Sequence, residues 1–380
     1  MKKAFPLSIA ISALFHWSCK KDNSQTPANT NYPIPTTYTF AHFNDSNSLK
    51  LLAMADQIVA YINTANTIPN TPLSSATLTA MINNTGNPFN DSSLQLNSSG
   101  LDLAGYFPAP ALTDMQNYFD SVSLYSQSTT VASPGIAGIS PSSANPSKKY
   151  LLSPNGVFYS QVVKKAIMGM TAYQIANGYL TDSIAATTDT ATLEHYWDAA
   201  FGLWGVPTDF PSVTTGLRYF GSYSNQVNAG LGSNTSIMNA FLKGRAAIAN
   251  NDLITMRSQA DLLIRQFDSL DAAAIVQEMH ETNTNIEAGD AVAAYGTLSE
   301  SLGFVRNLGN NTSSQRVITA AQYQQLLALY DNSNPNSPNL YRFVGAAQGL
   351  STSQIEDKTN AIAQLIGRIY GFTATELPLL

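Results

Sequence analysis

Apolar residues recur at three- and four-residue steps through most of the chain, the spacing of helices that bury one face. The first such stretch opens at Ser48, where Leu51, Leu52, Ala55, Ile58, Val59 and Ile62 fall on one side. Shorter helices are predicted over 75–83 and 113–123. The middle of the chain is the most strongly patterned. Val157, Phe158, Val162, Val163, Ile167, Met170 and Tyr173 line one side of a helix predicted over 157–180. Another covers 191–204 and is stopped by Gly205 and Pro207. Helical spacing resumes over 236–250, 252–270, 272–286 and 289–308, and the segments 319–330 and 351–370 close the chain. Thr36, Tyr38, Phe40 and Phe43 make 36–43 the best strand candidate. Stretches rich in Gly, Pro or Tyr, at 84–110, 126–148 and 207–233, read as loops. The pattern predicts an all-α protein of about eight to ten helices, arranged as bundles with long loops. A faint echo between residues 197–202 and 298–303 raises the option of two related halves, although only the closing glycine is identical.

Composition narrows the setting. Hydrophobic residues make up 44 % of the 380, enough for a sizeable core. Charged residues are only 12 %, about half the usual share. The polar surface must therefore come from Asn, Thr, Ser and Gln, which suits a protein working outside the cytoplasm. The formal net charge is -6 and no basic block follows Lys21, which argues against a nucleic-acid partner. No apolar run reaches the ~18 residues of a membrane span. With one cysteine there is neither an internal disulfide nor a thiolate zinc site, so a metal would need His, carboxylate or amide ligands.

That cysteine is Cys19. Met1, Lys2 and Lys3 precede a short, mostly apolar run over 5–15, then Trp17, Ser18 and Cys19, followed by Lys20, Lys21 and Asp22. A basic start, a short apolar core and a small residue before the cut describe an export signal. With Cys19 next, the segment looks like a bacterial lipoprotein signal, although His16 stands where Leu is usual. Lipidation of Cys19 would make the membrane a partner, since each buried methylene contributes about 0.8 kcal/mol. The alternative is an ordinary secretory signal that takes Cys19 away with it. Residues 1–18 are read as the signal and 19–37, rich in Asn, Thr, Pro and Ser, as a lipidated tether. Residues 38–380 form the helical domain. Lys20 rather than Asp after the cysteine favours the outer membrane of a Gram-negative bacterium.

The densest chemistry lies in the run Glu194, His195, Tyr196, Trp197, Asp198, Ala199, Ala200, Phe201, Gly202, Leu203, Trp204 and Gly205. Three apart on a helix, His195 and Asp198 are placed to reach a common ion or each other. Here the chain resembles the imelysin-like proteins, helical extracytoplasmic proteins associated with iron uptake, whose signature is Gly-x-His-x-x-Glu followed by an apolar stretch ending in Gly. His195 matches the motif His, and Asp198 stands in for its Glu. Leu193 and Glu194 occupy the region where Gly is expected. The match covers about a dozen residues. The chain looks still more like a group of uncharacterised lipoproteins that share this segment and a later one, here Ser299, Glu300, Ser301, Leu302, Gly303 and Phe304. No activity follows from the second likeness.

Glu278, His280, Glu281 and Glu287 form a second polar cluster, with Glu278 and Glu281 on one helix face. It lacks the second His of a zincin motif. Glu300 sits on a mostly apolar helix and is either exposed or a buried partner for Arg306 or Arg316. The expectation is a cell-envelope protein with a polar pocket built from His195, Asp198, Glu281 and Glu300. Such a pocket would hold a metal ion, with iron or zinc the best suited, or a small metal-bearing ligand. A metal-dependent peptidase and a glycan-uptake accessory protein are the alternatives. The plainer option is that His195 and Asp198 only tie helices together, and that Glu278 and Glu281 lie on a solvated face.

Overall fold

The computed structural model describes residues 31–41, 46–90, 93–345 and 349–380; Cys19 and the signal segment lie outside them. The protein is all-α, 62 % helical, with one small sheet. Its helices are α1 (Ser46–Asn63), α2 (Ser75–Ile82), α3 (Ala109–Tyr125), α4 (Tyr159–Tyr173), α5 (Asp182–Ala185), α6 (Thr190–Trp204), α7 (Phe220–Gln226), α8 (Asn228–Leu231), α9 (Ser233–Ala249), α10 (Leu253–Glu287), α11 (Ala291–Asn310), α12 (Ala320–Tyr330), α13 (Leu340–Val344) and α14 (Thr352–Tyr370).

The centre is α10, an unbroken helix of 35 residues, roughly 50 Å long at 1.5 Å per residue. The spacing predicts two helices here, parted near residue 271. The acidic residues at that point do not break the helix because its neighbours satisfy them. Asp268 accepts from Asn311 Nδ2 at 3.0 Å, Val317 N at 3.0 Å and Tyr370 OH at 3.1 Å. Asp271 accepts from Asn307 Nδ2 at 3.2 Å. Helices α9, α11 and α14 pack along α10, and α4 packs on α11.

Helix α4 is buried nearly all round, as a helix shared by two cores must be. Val163, Ala166, Ile167 and Met170 face the core built from α1, α2 and α3. Val162, Met168 and Ala172 face the larger core of α6, α9, α10, α11 and α14. The helix ends at Tyr173 and widens into a π-helical turn, Gln174–Tyr179, where the pattern had predicted a continuation.

Two loop readings and the strand reading change. The 126–148 connection holds β1 (Gly138–Pro141), which pairs antiparallel with β2 (Lys149–Leu152), Gly138 opposite Leu152. Strands of four residues are too short to show alternation. The 207–233 stretch carries the short helices α7 and α8. The described part of the strand candidate, 36–41, belongs to an irregular strap over 31–41, bent at 36, 37 and 41, rather than to a strand. It lies against a loop and a helix: Tyr38 N donates to Thr208 O at 2.8 Å, and the Tyr38 ring stacks on Phe201 of α6 with centroids 3.7 Å apart.

Candidate functional site

Two polar centres are built into this frame, and they are separate. The first surrounds Asp198. Glu194, Trp197, Asp198 and Phe201 lie on the face that α6 turns inward, and all four are buried. Asp198, fully buried, accepts from Tyr38 OH at 2.7 Å, Ala41 N at 3.0 Å and Arg245 Nε of α9 at 3.0 Å. Glu194 takes a second nitrogen of Arg245. Burial by itself would lower the Arg245 guanidinium, but the charges of Asp198 and Glu194 outweigh it and hold it above its ordinary value. His195 falls beside the buried stripe and is exposed, with its ring 5.5 Å from that of Tyr196. His195 and Asp198 therefore share a helix without sharing a cavity, and the Asp198 carboxylate is committed to clasping the strap.

The second centre is a cleft of about 560 Å³ where α1, α4, α7, α10 and α11 converge. Its floor is Lys165 of α4, Tyr223 of α7, Glu278 of α10 and Glu300 of α11. Lys165 is 2 % exposed despite its charge. Its Nζ lies 2.5 Å from Glu300 Oε2 and donates to Tyr223 OH at 2.5 Å. Tyr223 OH in turn donates to Glu278 Oε1 at 2.8 Å and stands 3.3 Å from Glu300 Oε2. The Lys165 ammonium also sits 4.7 Å from the centroid of the Tyr223 ring. Local packing fixes this register. Ser299 Oγ accepts from Phe158 N at 2.8 Å, and Asn307 Nδ2 donates to the Lys165 carbonyl at 3.0 Å, so α11 grips α4 on either side of the pair. Gly303 lets the helices touch: a Cβ there would stand 2.5 Å from Lys165 Cβ.

Glu278 is the unusual member. It is 1 % exposed, and its Oε2 has no hydrogen-bond partner among the described residues. Burial, then the charge of Glu300, pushes its carboxyl well above the ordinary range. Burial and the two carboxyls likewise raise Tyr223, and burial followed by the charge of Lys165 lowers Lys164 on the cleft wall. A buried carboxyl with one oxygen hydrogen-bonded and the other free is costly to keep for stability alone.

The rim is held by Asp56 of α1, which binds the Arg218 guanidinium and accepts from Tyr219 OH at 2.7 Å. Asp56 is more than half exposed, so this clasp contributes at most about 1 kcal/mol. Tyr219 has φ 47° and ψ -117°, strained for a residue with a side chain and of the kind that collects at functional sites. Gly205 helps to shape the turn: it ends α6 at φ 81°, and its carbonyl accepts from Arg218 N at 2.9 Å.

A second cleft, of about 460 Å³, adjoins the first. Glu281 and Glu300 line both, so the two meet at these side chains. Glu281 is exposed, and burial of its carboxyl followed by the charge of Glu300 raises it above its ordinary value. In the second cleft the Oε1 of Gln161 is buried without a partner among the described residues.

The structure thus joins Glu281 and Glu300 of the expected pocket and leaves His195 and Asp198 outside both clefts. Among the described residues no three His, Cys, Asp or Glu side chains group so as to hold a metal ion. The base that pairs with Glu300 is Lys165, not Arg306 or Arg316, which bond to Tyr323 and to backbone carbonyls instead. Its one signal in the sequence was a lysine in the middle of a long apolar stretch. Tyr223 stood only as one of several aromatics in a loop.

A family model, described as Domain of unknown function (DUF4856), matches residues 35–373. The chain belongs to the DUF4856 family. No curated protein and no solved structure matches it. The DUF4856 match begins within the strap and runs past α14, so the Asp198 clasp and both clefts lie inside the family domain.

Proposed function

We propose that this DUF4856 protein is an envelope-anchored binding protein, held by lipid on Cys19, whose ligand site is the cleft floored by Lys165, Tyr223, Glu278 and Glu300. One observation carries the reading: Glu278 Oε2 is buried without a partner among the described residues, and Glu278 lines a polar cleft large enough for a small molecule. Buried polar groups are ordinarily satisfied, so the free oxygen is best explained by a ligand that completes it. The ligand is a small polar molecule. The metal-ion version, with iron or zinc, would draw on Glu281 and Glu300, and the ammonium of Lys165, 2.5 Å from Glu300, opposes it. Kinship with imelysin-like proteins rests on His195 and Asp198 and supports an envelope setting rather than a ligand.

Native mass spectrometry and elemental analysis of protein extracted from its own envelope without chelator test this reading. A bound species of defined mass is expected, retained by wild type and reduced at least tenfold in Glu278→Met, which removes both polar atoms. Wild type that carries no such species overturns the reading, and stoichiometric metal would restore the metal-ion version. Cys19→Ala is expected to move the protein from the membrane fraction to the soluble extract; unchanged fractionation would refute the anchor.

A further inference from the structure

The two clefts meet at Glu281 and Glu300, and each contains a buried oxygen that the described residues leave without a partner: Glu278 Oε2 in the first, Gln161 Oε1 in the second. The unpaired groups differ in kind. An amide oxygen needs a donor. A carboxyl whose other oxygen already accepts from Tyr223 offers, when it keeps its proton, a donor in search of an acceptor. A hydroxyl group satisfies either, because it donates and accepts at once.

The charges point the same way. In the first cleft Lys165 is paired with Glu300, and Arg218 with Asp56. In the second, Asp290 is occupied by capping α11 through Ala293 N at 3.0 Å, and by Ala144 N at 3.1 Å and Ser142 OH. Most of the charge is internally compensated, so neither cleft presents a strong field of one sign to a ligand. The charges left over are of both signs, Lys164 and Glu281 in the first cleft and Lys148, Lys149 and Glu281 in the second, and they stand among amide, hydroxyl and aromatic groups such as Tyr219 and Gln226 in the first and Asn145 and Tyr150 in the second.

We infer that the ligand is an extended, neutral, hydroxyl-rich molecule of the oligosaccharide type, lying across Glu281 and Glu300 with one end over Glu278 and the other over Gln161. The inference rests on the binding role assigned above and adds to it the length, charge and chemistry of what is bound.

Isothermal titration with defined β-1,4-glucan, α-1,4-glucan, β-1,4-xylan and β-1,4-mannan oligomers of two to six sugars tests it. One series is expected to bind, with the hexamer at least tenfold tighter than the dimer. Gln161→Ala is expected to weaken the hexamer at least fivefold and to leave the dimer within twofold, since the dimer needs only the Glu278 end. Glu278→Met, which removes the donor and the acceptor at similar size, is expected to weaken both. The melting temperature of each variant, measured alongside, must stay within about 2 °C of wild type, and Gln161→Asn serves in place of any alanine variant that fails to fold. The inference is overturned if no neutral oligomer binds, if dimer and hexamer bind equally, or if oligogalacturonate binds as tightly as the neutral series. The two levels are distinguishable. A bound species in the envelope extract that contains no sugar defeats this inference alone, while an extract with no bound species defeats the binding role itself.

Discussion

Asp198→Ala should loosen the N-terminal strap and leave the helical body folded. The carboxylate joins Tyr38 and Ala41 of the strap to Arg245 of α9. Breaking a buried ion pair by removing one partner typically costs about 3–5 kcal/mol. Here the lower end applies, because Glu194 keeps Arg245 paired and the Arg245 side chain is 12 % exposed. The expected loss is therefore about 3 kcal/mol. For a chain of 380 residues the unfolding entropy is roughly 0.8 kcal/mol per degree, which converts the loss to a fall in melting temperature of about 4 °C. The second readout is local. Limited proteolysis followed by mass mapping should show cleavage within 31–41 in the variant under conditions where wild type is protected. Asp198→Asn, which keeps one of the two acceptor oxygens that Tyr38 and Ala41 use and loses the charge for Arg245, should fall between the two. A melting temperature within 1 °C of wild type together with an equally protected strap would show that Asp198 does not clasp it.

His195→Ala, by contrast, should shift the melting temperature by less than about 1 °C, because surface changes are usually worth about 0.5 kcal/mol or less; a loss as large as that of Asp198→Ala would place His195 in the core of the clasp. Glu278 gives a pH signature. Burial, then the charge of Glu300, holds its folded carboxyl well above the ordinary glutamate range, so the native state binds more protons than the unfolded one once pH passes that range, and stability is lost with rising pH. Thermal melts from pH 4 to pH 8 should show wild type falling relative to Glu278→Gln, and parallel curves would refute the buried, protonated carboxyl. Gly303→Ala should cost about 1–3 kcal/mol, since the added Cβ meets Lys165 Cβ at 2.5 Å and the Val162 carbonyl at 3.1 Å; an unchanged denaturation midpoint would mean that α4 and α11 are not in close contact there.

Particular residues show how far a linear reading reaches. The stripe Leu51, Leu52, Ala55, Ile58 and Ile62 predicted α1, and those side chains are buried. The stop at Gly205 marked the end of α6, where the glycine takes the left-handed conformation. Lys165 shows the limit: a lysine beside another lysine reads as solvated, yet it is buried because Glu300 and Tyr223 come to meet it from two distant helices. Glu278 and Glu281 read as one polar face and do line one cleft, but one is buried and the other exposed. The spacing was divided at residue 271 in what is one continuous helix, and the partners of Asp268 and Asp271 on α11 and beyond were invisible from α10 alone.

Helices were legible because an α-helix is decided by the apolar spacing and stop signals of some ten to twenty neighbouring residues. That local information determined the all-α class and most helix positions. Which polar groups turn inward was settled only by tertiary structure, since a charge is buried where a distant partner compensates it. Tyr38 reaches Asp198 across 160 positions of chain, and the floor of the cleft is assembled from four separate helices, none of which carries the site alone.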